Sequence, residues 1–221
     1  MTLLPASFAA LLATPWGSVF YDLIFTVRIS LMYSVYTTKG FVLGSVESGE
    51  ANRIYFIYTE DFGLVRASAQ GIRLEKSKLR YGIDTSVYGL FSIVRGKEVW
   101  RIVGCERLTP VPHRIELSRA LSRVLYLVKR LVHGEGSNPD LFSTLCAMIE
   151  RIESQKNDDA TLIELVTVLR VLRSLGYMGE IGDAPQAFFS GSLTDEMIEY
   201  AHAHRQLLMR SVNEAIDKSQ L

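Results

Sequence analysis

From residue 35 the apolar positions fall in short runs separated by turn formers, and from Leu117 they recur at three- and four-residue spacing. The first regime predicts strands. Residues 35–46 are rich in Tyr, Thr, Phe and Val, residues 47–52 (Glu-Ser-Gly-Glu-Ala-Asn) form a turn signal, and residues 53–59 follow as a second strand. Residues 64–69 make a third, joined to the second at Asp61 to Gly63, and residues 85–94 and 99–107 two more, with Gly96 in the link suited to a tight hairpin. Five strands at this spacing predict a small closed or nearly closed barrel. An OB fold fits, and an SH3-like barrel has the same strand count.

The second regime predicts helices. Leu117, Ala120, Leu121, Val124, Leu125, Val128, Leu131 and Val132 mark one apolar stripe, broken by residues 134–137 (Gly-Glu-Gly-Ser). Asn138-Pro139 then supplies an N-cap and a first-turn proline for a helix carrying Leu141, Phe142, Leu145, Met148, Ile149 and Ile152. Residues 162–175 continue as a helix stopped at Gly176, and Thr194 caps a last one that begins with Asp195 and Glu196. The reading is α+β: an N-terminal five-stranded OB-fold barrel over residues 33–109, followed by an all-helical domain over 110–221.

Residues 1–32 form a separate, strongly apolar extension whose first charge is Asp22. Pro5, Pro15 and Gly17 interrupt it and no cationic region precedes it, so it fits neither a spanning helix nor a signal peptide. Met32 is therefore expected to be the natural start, with the preceding residues contributed by an early start. Recovery of native peptides from residues 1–31 would reject this.

Composition narrows the picture. A chain of 221 residues, 48% hydrophobic and 22% charged, can bury one substantial core or two small ones. Formal charge sums to zero, yet residues 33–134 carry 16 Lys and Arg against 9 Asp and Glu, and residues 135–221 carry 7 against 14. This asymmetry points to a polyanion-binding front and an acidic back, with two ordinary solvated surfaces as the alternative. Cys105 and Cys146, far apart and outside any CxxC pattern, fit buried roles in a reducing compartment; a cytoplasmic protein without metal or other cofactor is expected. No phosphate-binding glycine loop, nucleophile elbow or paired-histidine motif is present, so the chain is not expected to be an enzyme.

The candidate chemistry lies in residues 70–80, where Arg73, Lys76, Lys78 and Arg80 face one acid, Glu75. A cationic loop beside an aromatic-rich sheet could cradle a phosphate backbone, because Lys and Arg release counterions there. Arg53 and Arg66 on the neighbouring strands could line the same surface, with Lys39, Arg95, Lys97 and Arg101 as an extension or as ordinary solvated side chains. Tyr55, Tyr58, Phe62 and Tyr81 are either base-stacking platforms or barrel core.

The order of residues 36–43 (Tyr-Thr-Thr-Lys-Gly-Phe-Val-Leu), 50–54 (Glu-Ala-Asn-Arg-Ile), 58–67 (Tyr-Thr-Glu-Asp-Phe-Gly-Leu-Val-Arg-Ala), Gly71-Ile72-Arg73 and Lys76-Ser77-Lys78-Leu79 resembles the N-terminal domain of the RecO recombination mediators. Tyr126-Leu127, residues 138–142 (Asn-Pro-Asp-Leu-Phe) and residues 173–177 (Arg-Ser-Leu-Gly-Tyr) resemble marks of that family's helical domain. The resemblance implies a non-catalytic, DNA-binding role in recombinational repair. Single- and double-stranded DNA would be bound, complementary strands annealed, and RecA loaded indirectly with RecR and the single-stranded DNA-binding protein, with no membrane partner. An acidic, apolar partner tail would need a notch rimmed by cations, for which Arg119, Arg123, Lys129, Arg130, Arg170 and Arg173 are candidates. Many relatives bind zinc through a cysteine cluster after the Leu-Gly-Tyr element; residues 178–190 contain no cysteine, so a zinc-less variant is implied. Asn52 also stands where an acidic residue is common in the family. The alternatives are an OB-fold RNA-binding module and a membrane-tethered adaptor.

Overall fold

The apolar runs of the first half become β1 (Val35–Ser48), β2 (Asn52–Thr59), β3 (Gly63–Ala69), β4 (Tyr88–Val94) and β5 (Trp100–Arg107). The computed structural model describes residues 34–77, 79, 82–83, 86–110, 112, 114–154, 156–179 and 186–218. The apolar extension over 1–32, together with Lys78, Arg80 and Tyr81, lies outside the described residues. The strands close in the order β1-β2-β3-β5-β4, with β4 returning to β1. The β3–β5 pair is parallel, Ala67 opposite Trp100 and Ser68 opposite Arg101, and the others are antiparallel. This is a five-stranded barrel of the OB type. β4 begins at Tyr88, later than residue 85, because Ser86 adopts φ +66, outside the range of a strand.

Alternation along the strands sends Val42, Tyr55, Ile57, Val65, Phe91, Ile93, Trp100 and Ile102 into the barrel. The opposite faces of β1 and β2 are buried as well. Phe41, Leu43 and Tyr58 belong to the core of the helical half, where Phe41 stacks on Tyr88 at 4.5 Å and meets Phe142 edge-on at 5.5 Å. Full burial of Phe41 and of Phe142 each contributes about 1.5 to 3 kcal/mol.

The helical half consists of α1 (Ile115–Leu131), α2 (Pro139–Glu153), α3 (Ala160–Ser174), a 3-10 turn (Gln186–Phe189), α4 (Asp195–Ala203) and α5 (Arg205–Lys218). The predicted caps are in place: Asn138 Oδ1 accepts from the Leu141 amide at 3.0 Å, Thr194 Oγ1 accepts from Met197, and Gly176 follows α3 with φ +78. Asp159 caps α3 through the Thr161 amide. The single last helix expected from the sequence is two helices, because His204 leaves helical geometry at the end of α4 and its ring stacks on Tyr200 at 4.1 Å. Among the described residues no helix is long and apolar enough to cross a membrane.

The loop from α1 to α2 is strapped onto the barrel. Gly63 and Glu135 form a β-bridge, the Gly136 amide donates to Phe62 O at 3.1 Å, and Tyr58 Oη donates to Asn138 O at 3.3 Å. Gly63 needs to be glycine twice over: its φ is +66, and a Cβ there would collide with the backbone of Gly136.

Candidate nucleic-acid interface

The cations predicted to line one surface separate into three groups. At the turn between β1 and β2, Glu47 takes both Arg53 (3.6 Å) and Arg73 (3.3 Å), and Arg73 also donates to Gly49 O. Part of the positive potential of the predicted loop is therefore neutralised, while Lys76 is exposed beside it. Asn52 has a definite task here, its Oδ1 accepting from the Gly71 amide at 2.9 Å and fixing the start of the loop.

The second group surrounds a groove of about 500 Å³ between the end of β3 and the β4–β5 hairpin. Arg95, Lys97 and Arg101 line it together with Ser68 and Gln70. The parallel register sets Arg101 beside Ser68, and Arg66 lies two residues earlier on β3, exposed on the same outer face. At the rim, Arg95 lies 4.8 Å over the Trp100 ring and bonds Glu135 at 2.5 Å, while Trp100 Nε1 donates to the other carboxylate oxygen at 2.9 Å. Burial acts to raise the Glu135 carboxyl, but the bonds from Trp100 and Arg95 outweigh it and hold the group below its usual range. Lys39 is exposed on β1 and pairs with Leu90 of β4, on another side of the barrel.

The third group is a junction. Phe56 of β2 lies opposite Arg66 in the β2–β3 register, with the Arg66 guanidinium 6.0 Å from its ring and Lys129 Nζ of α1 4.3 Å from it. Lys129, expected in a partner-binding rim, thus belongs beside the barrel cations.

Several sequence expectations are corrected by packing. Tyr55 points into the barrel, Tyr58 is covered by the helices, where burial raises its hydroxyl to about 12, and Phe62 packs with Tyr36 and Trp100 at 5.4 and 5.0 Å. Tyr55 and Tyr58 are therefore not stacking platforms, and Phe62 is half-buried against its two aromatic neighbours. Arg170 cannot rim a notch: it is 2% exposed and donates to the backbone oxygens of Phe188, Ser190 and Gly191. Arg123 is held by both oxygens of Glu164, and Arg173 lies 3.9 Å over the Phe189 ring. Arg119 and Arg130 remain exposed on α1. Cys105 and Cys146 are half-buried free thiols, raised by burial, and unsuited to ready ionisation.

Sequence reasoning missed Trp100, Glu135 and Phe56. A tryptophan opening a strand next to a basic hairpin was a visible signal for the first. Glu135 sat unnoticed in a helix break, since nothing in the sequence places that loop against β5.

Comparison with known proteins agrees with this architecture. The family model described as recombination protein O N terminal matches residues 32–111, and the one described as recombination protein O C terminal matches residues 112–180. A DNA repair protein RecO from Dehalococcoides mccartyi is 26% identical over 149 residues, covering 66% of this chain and 58% of the relative. That of Gloeothece citriformis is 28% identical over 163 residues, 71% of this chain and 55% of the relative. That of Synechococcus elongatus is 31% identical over 175 residues, 76% and 62% respectively. The chain spans less than two thirds of the length of these curated relatives.

Proposed function

Because this chain belongs to the RecO family of DNA repair proteins, we propose that it binds single- and double-stranded DNA through the outer face of its barrel. In this reading it is a non-catalytic mediator. It anneals complementary strands and, with RecR and the single-stranded DNA-binding protein, helps load RecA in the cytoplasm.

The observation that carries the reading is the groove beside the β4–β5 hairpin, with Arg95, Lys97 and Arg101 around it and Arg66 on the adjoining strand. Glu135 engages Arg95, but the cluster as a whole stays cationic, so it neutralises phosphates whatever the base sequence and supplies affinity without specificity. Annealing requires that property. Two polyanions must be held close while their bases stay free to pair, and contacts to the backbone alone leave the Watson–Crick edges open.

Charge reversal at two exposed positions tests it. Arg66→Glu with Lys97→Glu is expected to weaken binding of a labelled single strand in fluorescence anisotropy and to flatten the log–log salt dependence by roughly 1.4, about 0.7 per lost contact. Annealing should slow in parallel. Unchanged affinity and slope in a folded variant would reject the barrel face as the DNA surface.

A further inference from the structure

The cationic surface does not stop at the barrel. Arg66 and Lys129 flank the same Phe56 ring, one from β3 and one from the last turn of α1, so the C-terminal end of the helix meets the barrel's positive face. Along α1, at about 100° per residue, Arg119, Arg123, Tyr126 and Arg130 fall within a sector of roughly 60°, forming one ridge that points away from the buried stripe of Leu117, Leu121, Val124 and Val128. Lys129 lies on the barrel side of that ridge. The acidic neighbours are Glu116 in the first turn and Glu164 of α3, which holds Arg123.

Two features separate this ridge from an ordinary solvated face. Tyr126 is 60% exposed at its centre, an aromatic that the core does not use, three and four residues before Lys129 and Arg130 and seven after Arg119. The helix dipole accounts for cations in the last turn, where Lys129 and Arg130 sit, but gives no reward to Arg119 near the other end. A polyanion with stackable faces satisfies both features, since phosphates pair with the arginines and a base covers the tyrosine. A peptide with acidic side chains alone would satisfy only the second.

Resting on the reading of the barrel as a DNA surface, we infer that the outer ridge of α1 is a second track for single-stranded DNA. It takes the phosphate backbone on Arg119, Lys129 and Arg130 and one base on Tyr126, and is continuous with the barrel face through Lys129 and Arg66. One strand could then run from groove to helix, or two could be held side by side.

The test compares three full-length proteins, Arg119→Glu with Arg130→Glu, Tyr126→Ala, and the barrel variant Arg66→Glu with Lys97→Glu, by anisotropy with a labelled oligothymidylate of 30 nucleotides across a salt series. The α1 double variant should bind several-fold more weakly with a salt slope shallower by about 1.4. Tyr126→Ala should lose about five-fold or more in affinity at unchanged slope, because stacking releases no counterions. If the barrel variant loses binding while both α1 variants, folded by circular dichroism, keep wild-type affinity and slope, the α1 track is wrong and the barrel reading stands. If the wild-type protein itself binds no oligonucleotide, both are wrong.

Discussion

Arg170 is pushed down to about 10 by burial, so it remains charged at neutral pH, and its guanidinium closes the chain between the 3-10 turn and α4 onto α3. Arg170→Met would leave the carbonyls of Phe188, Ser190 and Gly191 without their donor. It should lower stability by about 3 kcal/mol in urea denaturation, with oligonucleotide affinity of the folded fraction unchanged. Equal stability would show that those carbonyls find other donors. The contrast with Arg119 shows where sequence reading stops at this scale. Both are arginines on helices, but Arg170 falls on an element whose apolar residues surround it nearly completely, while Arg119 falls on the solvent side of a single stripe. Residue type alone separates neither clamp from contact, because burial depends on what packs opposite.

At the scale of elements, α2, α3 and α4 meet at Arg151, which bonds Asp158 at 2.5 Å, Asp195 at 2.6 Å and Leu193 O at 3.0 Å, while Lys156 adds a second bond to Asp195. Lys156 and Arg151 hold the Asp195 carboxyl below the usual carboxylate range. Its folded pKa is therefore lower than its unfolded one, and its contribution is complete above about pH 4 and lost as pH falls through the folded value. The stability gap between wild type and Asp195→Asn should be constant from pH 8 to pH 5 and close below that, in urea melts over a pH series. A gap that persists at pH 2 would show that the carboxylate charge is not its source. The strap between α1 and α2 makes a second prediction. Gly63→Ala should destabilise by at least about 2 kcal/mol, because a side chain in the left-handed region adds to a backbone collision with Gly136. Melting temperature would read this directly, and a shift under 2 °C would reject the strap as a close fit. Strand and helix positions were legible from period and caps, whereas the division of the last helix at His204 was not, since it has no glycine or proline to mark it.

Across the whole molecule, Phe41, Leu43 and Tyr58 of the barrel share one core with α1, α2 and α3. Barrel and helices should therefore unfold together. In a Trp16→Phe background, Trp100 fluorescence and helical circular dichroism are expected to give coincident thermal midpoints, and two separated transitions would show independent units. The shared core also explains why Tyr58 of β2 is not free to stack bases, as the barrel's own core does for Tyr55. The unbroken apolar run of residues 41–43 was a sign of strands buried on both faces, but it does not say what covers the second face. By itself the sequence determined the five strands, the helix starts and stops, the family marks and the excess of positive charge before residue 135, because period, capping and composition are local properties. Only the tertiary structure decided which cations stay exposed and which are spent on Glu47, Glu164 or buried carbonyls, and that Lys129 of a helix stands beside Arg66 of a strand. Those outcomes depend on contacts between residues far apart in the chain, and closing the barrel onto α1 creates them.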